Sequence, residues 1–433
     1  MMINNVFFEK MKSILGEEFE DFKLSLDNPM QKSIYINQNK ISLDCFKQIV
    51  DFSIEQIPYE KAGFYVDNEK KGRHPLHHAG AFYMQEPSAM FTVNAIEFNG
   101  DEKVLDMCAA PGGKSIQIAN RIPKGVLVSN EFVKSRAEIL FSNVERMGLR
   151  NVIICNDSPE KIGLAYGNTF DVVLVDAPCS GEGMFRRGED VMQEWYPEIN
   201  EVCSKRQLEI LCHADKTLKC GGKLIYSTCA YSIEENENVV REFLKNHKYE
   251  LVNINANLPR GIEMEQAVRL YPHKVRGEGQ FVAILKKLEE NFNPCESCLK
   301  LTNSKITNEF IKTHLCTYGD FVEYMNYSYF IPSKELIKKH VNYVSVGVRL
   351  GKVISNRFDP HHNLFTAFGV DFKIKLELDY KDCLTTKYLR GETFDVNLSD
   401  GFGAVIVNNC ALGGFKISQG KFKNFYPKGL RNF

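Results

Sequence analysis

Short apolar runs alternate with helical stretches through the middle of the chain, and this pattern restricts the fold more than any other feature of the sequence. Apolar runs bounded by turn residues predict buried strands, and apolar residues at helical spacing between them predict amphipathic helices. A chain that repeats strand and helix in this way forms a mostly parallel sheet wrapped by helices. The predicted strands are KVLDM (103–107), GVLVSNE (125–131), NVIICND (151–157), FDVVLVDAP (170–178) and GGKLIYSTC (221–229).

The regions around this sheet predict a chain of several domains. At 433 residues the chain is too long for one compact core, and we expect two or three domains. We place the α/β domain at residues 76–290, where YELVNIN (249–255) and GQFVAILKK (279–287) can close the sheet with an antiparallel edge. Residues 1–75 predict a small supporting α+β region. Residues 300–433, which follow a linker-like segment, have short apolar runs and frequent glycines and predict a mostly β domain.

Charge and cysteine usage indicate the type of environment. The 54 lysines and arginines balance 55 aspartates and glutamates, so a polyanionic partner has to meet a local basic patch. No apolar run is long enough to span a bilayer or to form a signal core, so we expect a cytoplasmic protein. The thirteen cysteines are an odd number in a large chain, which fits a reducing compartment. We predict no metal site at the Cys295 and Cys298 pair, because a second pair at zinc spacing is missing, nor at His74, His77 and His78.

The loop CAAPGGKS (108–115) follows the first predicted strand and allows two interpretations. It matches the phosphate-binding pattern G-x-x-x-x-G-K-[ST] except that Cys108 replaces the first glycine, and FDVVLVD resembles the strand that presents a magnesium-binding aspartate in such enzymes. Alternatively, it is the first turn of a doubly wound sheet, whose open amides bind a nucleoside-bearing ligand. This second interpretation predicts acids at the ends of the next strands, where Glu131 and Asp157 stand.

Two further motifs place a cysteine just after a predicted strand. They are DAPCSGEGMFRR (176–187), with Cys179, and YSTC (226–229), with Cys229. Open α/β sheets carry their sites at the carboxyl ends of the strands. Carbon 5 of cytosine is a poor nucleophile until a thiolate adds to carbon 6, and a base must later remove the carbon 5 proton. Two cysteines and Asp176, which can hydrogen-bond the cytosine ring, provide groups for these roles.

The ordered motifs resemble the RNA cytosine-C5 methyltransferases of the RsmF and RsmB type, and most closely the RsmF-like 16S ribosomal RNA enzymes with a C-terminal PUA-like module. The motifs are CAAPGGKS, NEFVKSRAEIL, DAPCSGEGMF, KRQLEIL, LIYSTCAYSIEENENVV and RLYPHKVRGEGQF, and the resemblance covers roughly residues 74–288. It implies a Rossmann-like core that binds S-adenosyl-L-methionine. It also implies that Cys229 is the nucleophile and that Cys179 assists release of the product. The implied cofactor-binding residues are Cys108, Ala109, Ala110, Pro111, Gly112, Gly113, Lys114, Glu131, Arg136, Asp157 and Asp176.

The C-terminal region resembles a PUA-like RNA-binding module through YLRGE (388–392) and NFYPKGLR (424–431). Its tail is basic, has no acidic residue and interleaves Phe422, Phe425 and Tyr426, so we expect it to pair with phosphates and to stack on bases. The predicted RNA-contact residues are Arg186, Arg187, Lys416, Lys421, Lys423, Lys428 and Arg431.

The resemblance implies an S-adenosylmethionine-dependent enzyme that forms 5-methylcytosine in RNA, with ribosomal RNA or a small-subunit particle as the expected partner. Residues 1–75 would then support RNA binding, and we expect a monomer. Three alternatives remain open. The substrate can be transfer RNA, and a P-loop-like NTPase or a non-catalytic RNA-binding assembly factor are alternatives of other classes.

Overall fold

The structure is a computed structural model that describes residues 5–67, 71–187, 192, 195–290, 297–317, 319 and 321–431. The N-terminal part folds around a small antiparallel sheet in the order β2-β3-β1-β4. Its helices are α1 (Asn5–Leu15), α2 (Phe19–Ser25), α3 (Leu43–Ile49) and α4 (Pro75–His78), and its strands are β1 (Lys32–Ile36), β2 (Ile54–Gln56), β3 (Gly63–Val66) and β4 (Phe82–Met84). Because β4 pairs with β1, this sheet continues past residue 75.

The central part alternates strands and helices as the sequence pattern predicts. Its helices are α5 (Pro87–Asn94), α6 (Gly113–Arg121), α7 (Lys134–Met147), α8 (Pro159–Ala165), α9 (Ile199–Thr217) and α10 (Glu237–Asn246). Its strands are β5 (Lys103–Asp106), β6 (Val126–Asn130), β7 (Val152–Cys155), β8 (Phe170–Asp176), β9 (Leu218–Thr228), β10 (Tyr249–Val252), β11 (Arg260–Gly261), β12 (Met264–Leu270) and β13 (Gln280–Lys287).

Strands β9, β8, β5, β6 and β7 lie side by side in that order and are parallel. Along β8, Val173 and Val175 belong to one apolar cluster and Val172 and Leu174 to another, so both faces of the sheet are covered. A strand buried on both faces explains the continuous apolar run FDVVLV. The carboxyl ends of these five strands therefore meet at one edge of the sheet, and this is a Rossmann-like arrangement.

The antiparallel part of the sheet is larger than the sequence analysis predicts. β10 pairs antiparallel with β13, and β13 pairs antiparallel with β9, in agreement with the prediction. However, β12 and β11 continue the sheet beyond β13, so β13 is not the edge. In β12 the charged Glu265 and the polar, uncharged Gln266 are both exposed and interrupt the apolar pattern, which is why the sequence pattern did not reveal this strand.

The C-terminal part contains two four-stranded sheets, β14-β15-β17-β18 and β19-β20-β21-β22. Its helices are α11 (Lys305–His314), α12 (His362–Phe368) and α13 (Cys383–Leu389). Its strands are β14 (Phe321–Tyr324), β15 (Tyr327–Phe330), β16 (Tyr343–Ser345), β17 (Val348–Ile354), β18 (Arg357–Pro360), β19 (Lys375–Leu378), β20 (Gly401–Val407), β21 (Cys410–Ser418) and β22 (Lys421–Asn424). The mostly β composition agrees with the prediction.

Strand β16 belongs to neither of these two sheets. It pairs antiparallel with β7 and so forms the far edge of the central sheet. At three residues, β16 is too short to produce a periodic signal in the sequence. Within the described residues, no helix is long and apolar enough to cross a membrane.

Candidate functional site

The loop between β5 and α6 is held against the neighbouring strand and helix through its backbone. The N–H of Ala109 donates to the carbonyl of Asn130 at the end of β6 (2.8 Å). The Arg136 guanidinium, from the first turns of α7, donates to the carbonyl of Ala110 (2.8 Å). Both contacts place the predicted cofactor loop at the carboxyl end of β5, beside the crevice between β5 and β8 where strand order reverses.

Glycine is required where the loop enters α6. Gly112 has φ 115°, a left-handed conformation, and a Cβ atom there would lie 2.9 Å from Cδ1 of Leu140. A Cβ atom on Gly113 would lie 3.2 Å from the ring of Tyr83, which comes from the N-terminal sheet. The loop backbone is therefore packed between α7 and the N-terminal part, and the left-handed conformation of Gly112 requires glycine there.

The predicted acids follow the next two strands at the same edge of the sheet. Glu131 is buried, and its carboxylate accepts from the N–H of Val133 (2.9 Å) and lies 3.5 Å from the Arg136 guanidinium. The carboxamide of Asn130 binds both backbone groups of Asp157, at 3.1 Å and 3.0 Å. Neighbouring parallel strands thus bring the loop, Glu131 and Asp157 together, as the sequence analysis predicts.

A residue that sequence analysis did not find completes the surroundings of Asp157. The backbone N–H of Asn342 donates to Asp157 Oδ2 (2.7 Å), and the Asn342 side-chain amide donates to Oδ1 (3.0 Å). Lys161 donates to the same Oδ1 (3.2 Å). An ionised carboxylate has about four acceptor positions, so these three donors leave one for a ligand.

Asp106, at the end of β5, is a second residue that the sequence analysis missed. It is buried, and burial raises the pKa of its carboxyl to about 7, against a lowering by the hydrogen bond from Ser115 Oγ (2.6 Å). Its Oδ1 has no hydrogen-bond partner among the described residues. A buried acceptor beside the loop suits the ammonium group of S-adenosylmethionine, and acids near the ribose and adenine ends suit the rest of that cofactor. The residues present therefore fit this ligand.

Lys114 and Asp176 join the loop to the strand that leads to the first cysteine. The Lys114 ammonium donates to Asp176 Oδ2 (2.7 Å), and Ser227 Oγ donates to Asp176 Oδ1 (2.6 Å). Burial lowers the pKa of Lys114, but the charge of Asp176 and the hydrogen bond with it outweigh burial and raise the pKa on balance. A fixed positive charge therefore lies within electrostatic reach of Cys229.

The two cysteines predicted from their positions after strands face each other. Strands β8 and β9 pair in parallel with Asp176 opposite Ser227, and this register brings the following loops together. The sulfur atoms of Cys179 and Cys229 are 3.2 Å apart. The hydrogen bond to Cys229, together with burial, holds the pKa of Cys179 well above its ordinary value. This raised pKa favours the protonated thiol form of Cys179.

Arg186 does not have the surface position that we predicted for a phosphate contact. Its side chain is buried, and its guanidinium forms an ion pair with Glu278 (2.9 Å). It also donates to the carbonyls of Gly277 (2.6 Å) and Ser25 (3.4 Å). Because the guanidinium is buried and binds these groups, the prediction that Arg186 contacts an RNA phosphate is wrong. The Arg187 side chain lies outside the described residues, so its predicted phosphate contact remains a prediction.

The basic C-terminal tail is only partly arranged as predicted. Lys416 and Lys423 stand opposite each other on β21 and β22, and their ammonium groups lie over the rings of Phe402 and Phe425. Lys421 and Lys428 are exposed. Arg431, another predicted RNA contact, donates to the carbonyl of Tyr426 within the protein (2.8 Å). The prediction that Phe422 and Tyr426 stack on bases is wrong, because both rings are buried in the hydrophobic core.

The residues considered as metal ligands have other roles. His74 caps α4, and His78 shares a hydrogen bond with the hydroxyl of Tyr426 (2.9 Å). Cys298 is exposed, and Cys295 lies outside the described residues. In the part of the chain that the structure describes, no group of three or more histidine, cysteine or acidic residues is placed to hold a metal ion.

Three family models match the chain in sequence order. The model described as 16S rRNA methyltransferase RsmB/F matches residues 93–286, and the model for the N-terminal domain of 16S rRNA methyltransferase RsmF matches residues 3–87. The methyltransferase RsmF PUA domain matches residues 375–432. The segment 287–374, which contains β16, lies outside these matches.

Similar proteins include the ribosomal RNA small subunit methyltransferase F of Vibrio campbellii, 29% identical over 99% of this chain and 97% of that protein. The protein of the same name from Escherichia coli O17:K52:H18 is 35% identical over 65% of this chain. The match spans 62% of that protein, which is less than two thirds of its length. Among solved structures, a methyltransferase homolog protein from Pyrococcus horikoshii has 30% identity and a TM-score of 0.58 over 66% of this chain and 95% of its own.

A second solved structure, NSun6 from Pyrococcus horikoshii with SFG, has 23% identity and a TM-score of 0.58, covers 65% of this chain and 97% of its own, and shows the same fold. The sheet order, the glycine loop and the acids at successive strand ends form a Rossmann-like core of the kind that the RsmB/F methyltransferase model describes. With the three matched domains in the same order, the chain belongs to the RsmB/F methyltransferase family.

Proposed function

We propose that this protein forms 5-methylcytosine in RNA of the small ribosomal subunit and that it acts in the cytoplasm. The observation that most supports this proposal is the pair of sulfur atoms 3.2 Å apart, next to the Lys114–Asp176 ion pair. A methyltransferase that acts on a more nucleophilic atom needs no thiol at its centre, whereas cytosine carbon 5 has to be activated by addition at carbon 6. The names of the relatives support ribosomal RNA as the substrate.

In the proposed reaction, the thiolate of Cys229 adds to carbon 6 of cytosine. The new S–C6 bond forms as the electron pair of the C5–C6 double bond shifts to carbon 5. Asp176, which Lys114 and Ser227 hold in place, contacts the edge of the ring near the atom where charge develops. S-adenosylmethionine, when bound, supplies the electrophilic methyl group.

Product release needs two further bond changes. The proton on carbon 5 passes to a base from the solvent, the electron pair of that C–H bond re-forms the C5–C6 double bond, and the electron pair of the S–C6 bond returns to the sulfur of Cys229. Cys179 is the group next to the departing sulfur, and its high pKa keeps it protonated. We propose that the Cys179 thiol donates its hydrogen bond to the sulfur of Cys229 as this sulfur leaves as a thiolate, which stabilises the developing negative charge.

The test is replacement of the proposed nucleophile. We expect Cys229→Ala to abolish formation of 5-methylcytosine, because without the thiolate carbon 5 is not activated. Bisulfite sequencing of ribosomal RNA from cells that carry the wild-type gene, the variant or no gene measures this directly. Cys220→Ala is a matched control, since Cys220 is an exposed cysteine earlier in the same strand, β9.

Full methylation by Cys229→Ala would contradict the assignment of the nucleophile. If cells without the gene kept 5-methylcytosine in ribosomal RNA and lost it in transfer RNA, the result would contradict ribosomal RNA as the substrate. Titration of the purified protein with S-adenosylmethionine and with ATP tests the two alternative classes of protein. A P-loop-like NTPase would bind ATP, and a non-catalytic assembly factor would bind neither ligand.

A further inference from the structure

Two buried glutamates connect the loops that carry the cysteines. We call residues 177–187 the Cys179 loop and residues 229–236 the Cys229 loop. Glu182, in the Cys179 loop, accepts at Oε2 from the N–H groups of Tyr231 and Ser232 in the Cys229 loop, both at 2.9 Å. Glu235, in the Cys229 loop, accepts at Oε2 from the N–H of Ser180 in the Cys179 loop (3.0 Å). Each loop therefore supplies the carboxylate that binds the backbone of the other.

One side chain bridges the two carboxylates. Asn200, near the start of α9, donates from Nδ2 to Glu182 Oε1 (2.8 Å) and to Glu235 Oε1 (2.6 Å). Trp195 Nε1 donates to Glu182 (3.1 Å), and Gln207 donates to Glu235 (2.7 Å). Both glutamates are almost fully buried, at 1% and 0% exposure. Buried carboxylates are tolerated only when their acceptor positions are filled, and here every oxygen has a donor.

The loops also touch directly next to the nucleophile. The N–H of Gly183 donates to the carbonyl of Cys229 (2.7 Å). A Cβ atom on Gly183 would lie 2.4 Å from that carbonyl oxygen, so only glycine allows this approach. Movement of Glu182 would therefore shift Gly183 and, with it, the backbone of Cys229.

The N-terminal part reaches this network through α1. Lys10 donates to Asn200 Oδ1 (3.0 Å) and forms an ion pair with Glu234 (2.9 Å). The ring of Phe7, one turn earlier, lies 4.9 Å from the ring of Phe185 in the Cys179 loop. The charge of Lys10 is within electrostatic range of Glu182. Helix α1 thus supports the glutamates from outside the catalytic sheet.

We propose that Glu182 and Glu235 are positioning residues that set the separation of the Cys179 and Cys229 sulfur atoms, and that Lys10 of α1 supports them through Asn200. Neither glutamate has a free oxygen to offer the substrate, so each acts through the backbone of the opposite loop. Small displacements of reacting groups are costly, since about 1 Å of misplacement can slow a reaction by roughly a hundredfold. The importance of this spacing for catalysis rests on the proposed function, but the spacing itself can be measured without RNA.

The experiment uses disulfide formation as a measure of the distance between the sulfur atoms. The full-length protein without RNA is treated with diamide, which takes up two electrons and two protons as the thiols of Cys179 and Cys229 become a disulfide. Peptide mapping by mass spectrometry follows this one disulfide over time. In Glu182→Gln and Glu235→Gln, an amide N–H would face the backbone N–H donors, so we expect the rate to fall at least about tenfold. Glu201→Gln, at an exposed site on α9, is the matched control and is expected to react like wild type.

A merely structural role would lower the thermal unfolding temperature and leave the disulfide rate of the folded fraction unchanged, and this result would overturn the proposal. If either glutamine variant fails to fold, Lys10→Gln is used to test the proposal, because Lys10 lies at the edge of the network. We expect Lys10→Gln to slow disulfide formation about threefold, because the ion pair with Glu234 is lost. Lys12→Gln, at an exposed position of the same helix, is the control. A wild-type rate in Lys10→Gln would then overturn the proposal.

The outcomes separate this proposal from the proposed function. Slow disulfide formation in the glutamine variants together with full methylation by Cys229→Ala would support the positioning role and contradict the nucleophile. Wild-type disulfide rates together with an inactive Cys229→Ala would contradict the positioning role and support the nucleophile.

Discussion

At the scale of single residues, the site is defined by the difference between two neighbouring thiols. Cys179 and Cys229 are chemically identical side chains in the loops that follow two neighbouring parallel strands. The hydrogen bond and burial that raise the pKa of Cys179 keep its proton in place, and Lys114 gives Cys229 a cationic neighbour. A stable thiol next to the proposed nucleophile is suited to the release of a covalent product, which is the role proposed for Cys179.

The role of Cys179 leads to a prediction about the covalent intermediate. In Cys179→Ala the S–C6 bond should form but break slowly, because the thiol that stabilises the leaving sulfur is missing. We expect a protein–RNA adduct that persists in denaturing gels as a retarded band, with turnover reduced by at least about a hundredfold. The double variant Cys179→Ala with Cys229→Ala is the control and should give no band. Absence of an adduct in the single variant would contradict this role.

At the scale of elements, the central sheet depends on a strand from outside the matched catalytic region. Strand β16 pairs with β7 and brings Asn342 to the carboxylate of Asp157, 185 residues away in sequence. Asp157 is predicted to bind the cofactor, and with three donors already in place its carboxylate has a fixed orientation. The segment 287–374 is therefore expected to contribute to cofactor affinity although it contains none of the predicted cofactor residues.

Asn342→Asp tests this contribution. The change places a second carboxylate against Asp157, and we expect the dissociation constant for S-adenosylmethionine to rise about tenfold, as for other losses of a supporting hydrogen bond. Isothermal titration of the purified protein measures this constant. Asn356→Asp, at an exposed turn of the same part of the chain, is the control. Equal affinity of wild type and Asn342→Asp would show that β16 does not support the adenine end of the site.

At the scale of the whole molecule, the N-terminal and C-terminal parts share a hydrophobic core. Ile34 and Phe46 of the N-terminal part belong to the same apolar cluster as Leu412 and Phe415 of the last sheet. The partly buried Lys40 adds a polar link, since its ammonium donates to the carbonyls of Ala79 (2.8 Å), Arg146 (3.2 Å) and Ala411 (3.0 Å). One side chain thus joins the N-terminal part, helix α7 of the central part and strand β21.

Lys40→Met should weaken the assembly of all three parts, because it leaves three partly buried carbonyl groups without this donor. Leaving a buried polar group unpaired costs about 1 to 3 kcal/mol, and these carbonyls are only partly buried, so we expect the free energy of unfolding to fall by about 1 to 2 kcal/mol. Urea denaturation followed by circular dichroism measures the difference. Lys61→Met, at an exposed position of the N-terminal part, should leave the stability within error of wild type. Equal free energies of unfolding for Lys40→Met and wild type would show that the Lys40 hydrogen bonds do not stabilise the assembly of the three parts.

The class of the fold and the grouping of the candidate site residues could be predicted from the amino-acid pattern alone. Parallel strands end at one edge of a sheet, so residues that follow successive strands have to meet there. For this reason the loop 108–114, Glu131, Asp157 and the two cysteines could be predicted to lie together before any coordinates were known. The mostly parallel sheet was also predicted from the alternation of strand and helix, whereas the order β9-β8-β5-β6-β7 comes from the structure.

Contacts between residues that no local pattern connects became visible only in the folded chain. Asn342 reaches Asp157 through a three-residue strand, and Glu182 and Glu235 cross between two loops, so neither contact has a periodicity that a sequence can display. The same reason explains the failure at Arg186. A basic residue after a turn is exposed by default, and only the packing of Glu278, Gly277 and Ser25 around it shows that its charge is used inside the molecule.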